Sequence, residues 1–312
     1  MNSKIKKIKI LAIIVIIVLT SLVLVFFSSH MLATPRDQEN ETKNPQSVFW
    51  RHVHGLGVDP EDRSILYIAT HGDFYQSVNG EPPIKVDEKR ADYMAFSAPY
   101  KPGYPLYASG HPETGGNSGL IQSTDGGKTW QHVSNVIEPP VDFHAMAVSK
   151  SDPKTIIGFD SAARGIFKTI DGGKTWETLK QPEHITALAI SPLDSNVIMA
   201  GTNKGIFRSD DGGNTWLQME SYKKLNVLAI SFDDDARLFA SVDTFGIVSS
   251  STFGDKWDEF ANLEIKITSI SPDSQNKVIY VAGYSSEGYQ EVYKISYDLN
   301  SVDLIGTNED LN

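Results

Sequence analysis

The sequence predicts an all-β protein: a β-propeller of six four-stranded blades, preceded by one N-terminal transmembrane helix. Three observations carry the prediction. An octapeptide recurs at a nearly fixed spacing, the same succession of four short strands returns between its copies, and the chain begins with a lysine cluster joined to an unbroken apolar run.

The octapeptide is Ser123-Thr124-Asp125-Gly126-Gly127-Lys128-Thr129-Trp130. It returns as Thr169-Ile170-Asp171-Gly172-Gly173-Lys174-Thr175-Trp176 and as Ser209-Asp210-Asp211-Gly212-Gly213-Asn214-Thr215-Trp216. A worn fourth copy, Ser250-Ser251-Thr252-Phe253-Gly254-Asp255-Lys256-Trp257, keeps the serine, one glycine and the tryptophan. The anchors Asp125, Asp171, Asp211 and Thr252 stand 46, 40 and 41 residues apart, a period that marks a repeat architecture. Aspartate followed by two glycines is turn chemistry. The carboxylate accepts from backbone amides further on, and glycine takes φ > 0 at no steric cost. The flanking hydroxyls satisfy further amides, and the tryptophan is expected to wedge against the third strand or the next blade. Asp125, Asp171, Asp211, Trp130, Trp176 and Trp216 are therefore assigned structural roles.

The module between boxes is clearest in mid-chain. Ile185–Ile190 reads as a first strand, Val197–Gly201 as a second, Gly205–Ser209 as a third and Thr215–Met219 as a fourth, with turn residues between them. Across the chain, first strands are expected to begin near His54, Tyr93, His144, Thr186, Asn226 and Thr268. Second strands are expected at Leu66–Ala69, Leu106–Ser109, Thr155–Gly158, Val197–Gly201, Leu238–Ser241 and Val278–Ala282. Six modules of about 40 residues suit a closed ring of blades better than a solenoid, whose coils are shorter.

Residues 1–9 carry Lys4, Lys6, Lys7 and Lys9 and no acid, and read as a cytoplasmic basic tail. Residues 10–27 hold no charge and, with their flanks, are long enough to cross a hydrocarbon core of roughly 30 Å as a helix. The basic side stays cytoplasmic, which puts the rest of a single-pass chain outside the cell membrane. A cleaved signal peptide is the alternative, but Met31-Leu32-Ala33 is a poor cleavage site, so an uncleaved anchor is preferred. Residues 28–46 are polar and read as a disordered linker, and residues 47–312 form the propeller. Taking the four tail lysines from 28 basic residues leaves 24 against 39 acidic ones. So acidic a body argues against nucleic acid as a partner, because phosphates require neutralising Lys and Arg. The chain has no cysteine, which excludes disulfides, thiol catalysis and a cysteine-linked lipid anchor.

The pattern S-x-D-x-G-x-T-W resembles the Asp-box, or BNR repeat, of sialidases, sortilin-type propellers and photosystem assembly-factor-like proteins, over about residues 50–310. His52-Val53-His54-Gly55-Leu56-Gly57 and Asp142-Phe143-His144-Ala145-Met146 resemble a membrane-anchored bacterial branch commonly labelled glycosyl hydrolase. The resemblance implies the propeller fold and says little about activity.

Topology gives a candidate site a position. In an antiparallel pair the start of strand one lies beside the end of strand two, and first strands line a propeller's channel. A central site is therefore built from first-strand starts and second-strand ends, on the face opposite the boxes. First-strand starts supply His52, His54, Asp92, Tyr93, Asp142, His144 and His184; second-strand ends supply His71, Asp73, His111, Glu113, Asp160, Asp243 and Tyr284. Six of the eight histidines map to this face, leaving His30 in the linker and His132 after a box.

Three functions follow from that map. Imidazoles and carboxylates converging on one mouth can hold a transition metal, zinc or copper, with His54, His71, His111 and His144 as ligands. A glycosidase needs two carboxylates, which Asp92, Glu113, Asp142 and Asp160 can supply. Sialidase activity is disfavoured, because the arginines are scattered and Arg164 and Arg208 fall near third strands, away from the channel. A third reading is a scaffold for an extracytoplasmic protein or glycan, with the loop Tyr100-Lys101-Pro102-Gly103-Tyr104-Pro105 as one exposed element. No G-x-x-x-x-G-K-[ST] loop occurs, and Asp233-Asp234-Asp235 reads as solvated turn charge.

Overall fold

Residues 50–98 and 101–309 are described by a computed structural model. The basic tail, the apolar segment 10–27, the linker with His30, and Tyr100 of the aromatic loop lie outside the described residues. Among the described residues no helix is long and apolar enough to cross a membrane.

The described chain forms six four-stranded sheets. Blade 1 is β1 (Val53–Val58), β2 (Ile65–Thr70), β3 (Phe74–Val78) and β4 (Ile84–Lys85). Blade 2 is β5 (Ala91–Ser97), β6 (Leu106–Pro112), β7 (Leu120–Ser123) and β8 (Gln131–Ser134). Blade 3 is β9 (Phe143–Val148), β10 (Ile156–Asp160), β11 (Ile166–Thr169) and β12 (Glu177–Leu179). Blade 4 is β13 (Ile185–Ile190), β14 (Ile198–Thr202), β15 (Gly205–Ser209) and β16 (Leu217–Gln218). Blade 5 is β17 (Val227–Phe232), β18 (Leu238–Val242), β19 (Gly246–Ser250) and β20 (Asp258–Ala261), and blade 6 is β21 (Ile265–Asp273), β22 (Val278–Ser285), β23 (Gln290–Ser296) and β24 (Val302–Thr307). Every sheet is a meander in sequence order. The all-β, six-bladed architecture is the one the sequence predicts.

Each blade is apolar on both faces, so second strands such as β14 and β18 are buried along their whole length. The core is accordingly divided into layers between neighbouring blades. Phe74, Tyr93 and Trp130 pack between blades 1 and 2, Phe143, Phe167 and Trp176 between blades 2 and 3. Comparable layers fill the next three boundaries. The ring closes where Trp50, Val53 and Ile68 meet Val278, Tyr280 and Val292. Fully burying a side chain of this size contributes about 1.5–3 kcal/mol. Stability therefore lies in these layers, which leaves the channel free to carry polar groups.

Among the described residues no strand is exchanged between blades 1 and 6, and side chains make the closure. The Trp50 indole N–H donates to the Gln290 carbonyl at 3.3 Å, and the Val53 amide donates to Gln290 Oε1 at 2.5 Å. Asn308 Nδ2 donates to the Trp50 carbonyl at 3.2 Å.

The octapeptides join third to fourth strands. In the first, Asp125 accepts from the Thr129 amide at 3.0 Å and hydroxyl at 2.6 Å, while the Gly127 amide donates to Ser123 Oγ at 2.9 Å. The worn copy keeps this frame, with Thr252 Oγ1 accepting from the Lys256 amide at 2.8 Å. The second glycine seats each box on the preceding blade. A Cβ at Gly127 would fall 2.3 Å from the Phe74 ring, and one at Gly173 2.5 Å from Leu120. The fourth strand of blade 4 is shorter than the sequence suggests, because the turn consumes its first residues: the Thr215 amide donates to Asp211 at 2.8 Å, so β16 is left with two residues.

Candidate functional site at the channel mouth

The first strands of all six blades line a central channel holding about 1070 Å³ of atom-free space, its open ends included. Each blade carries a β-bulge near the start of its first strand. Register slips between Val53 and Gly55, Tyr93 and Ala95, Ile185 and Ala187, Val227 and Ala229, and Ile267 and Ser269. In blade 3, Phe143 faces Asp160 while Ala145 faces Phe159. The extra residues are thus His54, Met94, His144, Thr186, Leu228 and Thr268. A bulge re-aims the side chain it inserts, and all of these except Met94 line the channel. In blade 2 the bulge depends on Gly110, at φ 151°, where a Cβ would lie 1.9 Å from the Asp92 carbonyl oxygen.

Polar chemistry gathers on blades 1 to 3, in two stations. At the first, His71 forms a β-bridge with Asp92 across the blade boundary, and its Nδ1 donates to Asp92 Oδ2 at 2.6 Å. His54 Nε2 faces Asp92 Oδ1 at 3.4 Å, yet both atoms are buried without a hydrogen-bond partner among the described residues. Ligand atoms of His54, His71 and Asp92 converge within 4.8 Å. Burial works to raise Asp92, but the surrounding imidazoles of His54, His71 and His111 hold it below the usual carboxylate range. His52 stands edge-on to His54 at 5.8 Å and to Tyr284 at 5.7 Å. Burial, then His54 and His71, push it below the ordinary histidine value.

The second station is centred on Asp142, whose side chain is buried. Its Oδ2 accepts from His144 Nε2 at 2.9 Å, from Ser161 Oγ at 2.9 Å, and pairs with His111 Nε2 at 3.2 Å. Asp142 Oδ1 is buried without a hydrogen-bond partner among the described residues. The Asp142 amide donates to Asp160 Oδ1 at 3.0 Å, and Asp160 is clamped by Arg164 through Nε and Nη2, both at 2.9 Å. Burial opposes ionisation of Asp142, and His144, Ser161 and His111 outweigh it, so its carboxyl is held low. The hydrogen bond to Asp142 raises His144 against the effect of burial. The stations adjoin, because Asp92 and His111 are direct partners in the β5–β6 ladder.

The four histidines expected as one ligand set therefore form two pairs, each with its own aspartate. Glu113 stands exposed in the loop after β6, and Asp73 pairs with Lys85 and Arg90. His184 lies against Phe159, edge-on at 5.5 Å. Arg164, in the β10–β11 turn, pairs with Asp160 and is not among the residues lining the channel. One expectation is corrected. The triplet Asp233-Asp234-Asp235 is not simply solvated. Asp233 is 1 % exposed and accepts from the Tyr297 hydroxyl at 3.0 Å, and Asp234 lines the far end of the channel. There Lys150 donates to Asp234 Oδ1 and to the Phe232 carbonyl, each at 3.0 Å, and Arg63 pairs with Asp234 at 3.0 Å and Asp273 at 2.7 Å. Burial pulls Lys150 down to about 8 despite Asp234. Sequence reasoning missed Ser161 and the bulges, neither of which has a composition signal.

No family model matches the chain, and no curated protein matches it. Solved structures do. The chain is similar to the GH74 enzyme of Niastella koreensis (TM-score 0.61, 17% identity) and to the GH74 xyloglucanase of Xanthomonas campestris (TM-score 0.57, 14% identity). Each match covers 81% of this chain and 45% of the enzyme, so the chain spans less than half the length of those proteins. It is also similar to YCF48 bound to D1 peptide, with a TM-score of 0.52 and 13% identity over 84% of this chain and 85% of that one. What is shared is the fold.

Proposed function

We propose that this chain is a single-pass cell-membrane protein, cytoplasmic at its N-terminus, that presents an Asp-box propeller outside the cell and holds a transition metal ion, zinc or copper, at its channel mouth. His54, His71 and Asp92 are the ligands. One observation carries the reading: ligand atoms of the three residues converge within 4.8 Å, and His54 Nε2 and Asp92 Oδ1, which face each other at 3.4 Å, are buried with no hydrogen-bond partner among the described residues. A buried polar atom left unpaired is costly, and a cation between them removes that cost. Two imidazoles and a carboxylate, with one position open, suit zinc, and imidazole suits copper equally. The open position gives the ion a ligand to engage, an extracytoplasmic protein or glycan.

Glycan hydrolysis is the weaker reading, supported by the fold shared with the GH74 enzymes. It requires two carboxylates free to act on the substrate. Asp160 is committed to Arg164 and Asp142 to two imidazoles and a serine, and Asp92, with one oxygen on His71, has the other taken by the proposed ion.

Dialysis of the full-length chain in detergent against zinc and copper, followed by elemental analysis, tests the proposal. About one equivalent is expected, lost in His71→Ala. Retention below about a tenth of an equivalent overturns it.

A further inference from the structure

We infer that His144 is a catalytic proton-transfer residue for hydrolysis of an uncharged oxygen ester, an acyl ester or lactone, bound across the channel mouth beside the cation station. The inference rests on the metal reading for the group that polarises the ester carbonyl.

The geometry of His144 is that of an oriented base. Its bulge places the ring at the mouth, where 44% of the side chain is exposed. Nε2 is fixed on Asp142 at 2.9 Å, and Nδ1 has no partner among the described residues. Three further layers stand behind the aspartate. Ser161 Oγ and His111 Nε2 hold Oδ2, His111 Nδ1 is tied in turn to the Gly116 carbonyl at 3.2 Å, and the Asp142 amide rests on the Asp160–Arg164 pair. Burying two carboxylates to fix one ring is expensive, and apolar residues of similar volume would pack the site as well or better. An imidazole oriented by a buried acid, with its other nitrogen open to a cleft, is the arrangement that proton transfer requires.

The surroundings select the substrate. Asp142 Oδ1 is buried and unpaired among the described residues, and the chain carries a net charge of −11. Phosphate and sulfate esters are repelled by that field, whereas a neutral ester is not. Water at the mouth gives a proton to His144 Nδ1 as its oxygen adds to the acyl carbon. The imidazolium returns that proton to the alkoxide oxygen as the acyl C–O bond breaks. One water is consumed, and one acid and one alcohol leave.

The test uses the zinc-loaded full-length chain in detergent with 4-nitrophenyl acetate, 4-nitrophenyl butyrate and a set of five- and six-membered lactones. Turnover above that of the heat-denatured chain is expected. His144→Gln should lose about 10²–10⁴-fold in kcat with zinc content unchanged, and His132→Gln, on the outer strand β8, should lose nothing. His144→Ala with added imidazole, which restores the lost group without refilling the fold, should recover part of the rate. Zinc retained with no ester turned over overturns this inference and leaves the metal reading standing, as does a His144→Gln variant keeping more than about a tenth of the rate. Turnover that survives His71→Ala after its zinc is lost overturns the ion as the group that polarises the ester and leaves His144 in place.

Discussion

Removing Arg164 is the sharpest perturbation of the scaffold behind the site. The Asp160 side chain has no solvent exposure, and Arg164 meets both of its oxygens at 2.9 Å. The same guanidinium donates to the carbonyls of Pro139 at 2.6 Å and Pro140 at 3.1 Å. Arg164→Ala leaves a buried carboxylate with only backbone amides, those of Asp142 and of residue 164 itself, as donors. Breaking a buried pair from one side costs about 3–5 kcal/mol. Arg164 keeps 24% of its side chain exposed, so water can reach the vacated space and the loss should fall near the lower bound, about 3 kcal/mol. At about 2–4 °C per kcal/mol for a domain of this size, Tm should drop by about 6–12 °C. The pH dependence fixes the cause. Burial works to raise Asp160, but Arg164 and the Asp142 amide hold it below its ordinary value. A carboxyl depressed on folding stabilises above its unfolded pKa of about 3.9 and loses that contribution as pH falls through its folded value. The gap between wild type and Arg164→Ala in urea titrations should thus be full at pH 7 and shrink below about pH 4. A gap under about 1 kcal/mol at pH 7, the value of an exposed pair, or one that does not narrow with acid, would refute the reasoning.

Other outcomes follow from the same contacts. Gly158→Ala places a Cβ 2.6 Å from the ring of the buried Phe143, and should cost about 1–3 kcal/mol by chemical denaturation, partly recovered by Phe143→Leu. His144, raised on folding by Asp142, stabilises fully below its unfolded pKa of about 6.5 and less as pH rises through its folded value. The difference in Tm between wild type and His144→Gln should therefore be wider at pH 6 than at pH 8.5, by differential scanning calorimetry. Zinc at about 100 times its Kd should add about 2.7 kcal/mol to the wild type and nothing to His54→Gln, read as a shift in Tm.

The fold was legible because its signals are local. Each box is a turn whose hydrogen bonds close within a few residues, as in Asp171 with Thr175 and Gly173 with Thr169, so it can be recognised without knowing what packs on it. Even the worn copy keeps Gly254 near Met199 of the preceding blade, since that contact requires a missing side chain rather than a particular one. Blades 1 and 6 lack boxes but keep the four-strand succession, and the strand periodicity located them. Ring closure was less legible. Gln290 and Asn308 join residues more than 230 positions away, and nothing in their local sequence distinguishes them from surface amides.

The site was legible as a face but not as a geometry, and the difference lies in the bulges. Strand alternation sends every second side chain to the same side, so sequence alone places His52 and His54 alike, and Asp142 and His144 alike. An inserted residue breaks that parity. It sends His54 and His144 into the channel as unpaired members of their strands, and it lets the aspartates Asp92 and Asp142 face histidines of the neighbouring strand or blade. This is why four histidines became two His–Asp–His groups. The same parity break explains the asymmetry of the ring: blades 4 to 6 insert Thr186, Leu228 and Thr268 at the equivalent position, groups that neither ligate a cation strongly nor carry a proton. If the bulge is what makes the site, Gly110→Ala should disable the first station without touching any ligand. A Cβ there collides with the Asp92 carbonyl oxygen, so the Asp92 backbone must move. Zinc retention should fall while the second station, on β9 and β10, keeps its Asp142–His144 bond. Equal loss at both stations would show that the ring unfolds as a whole and that the bulge has no separate role.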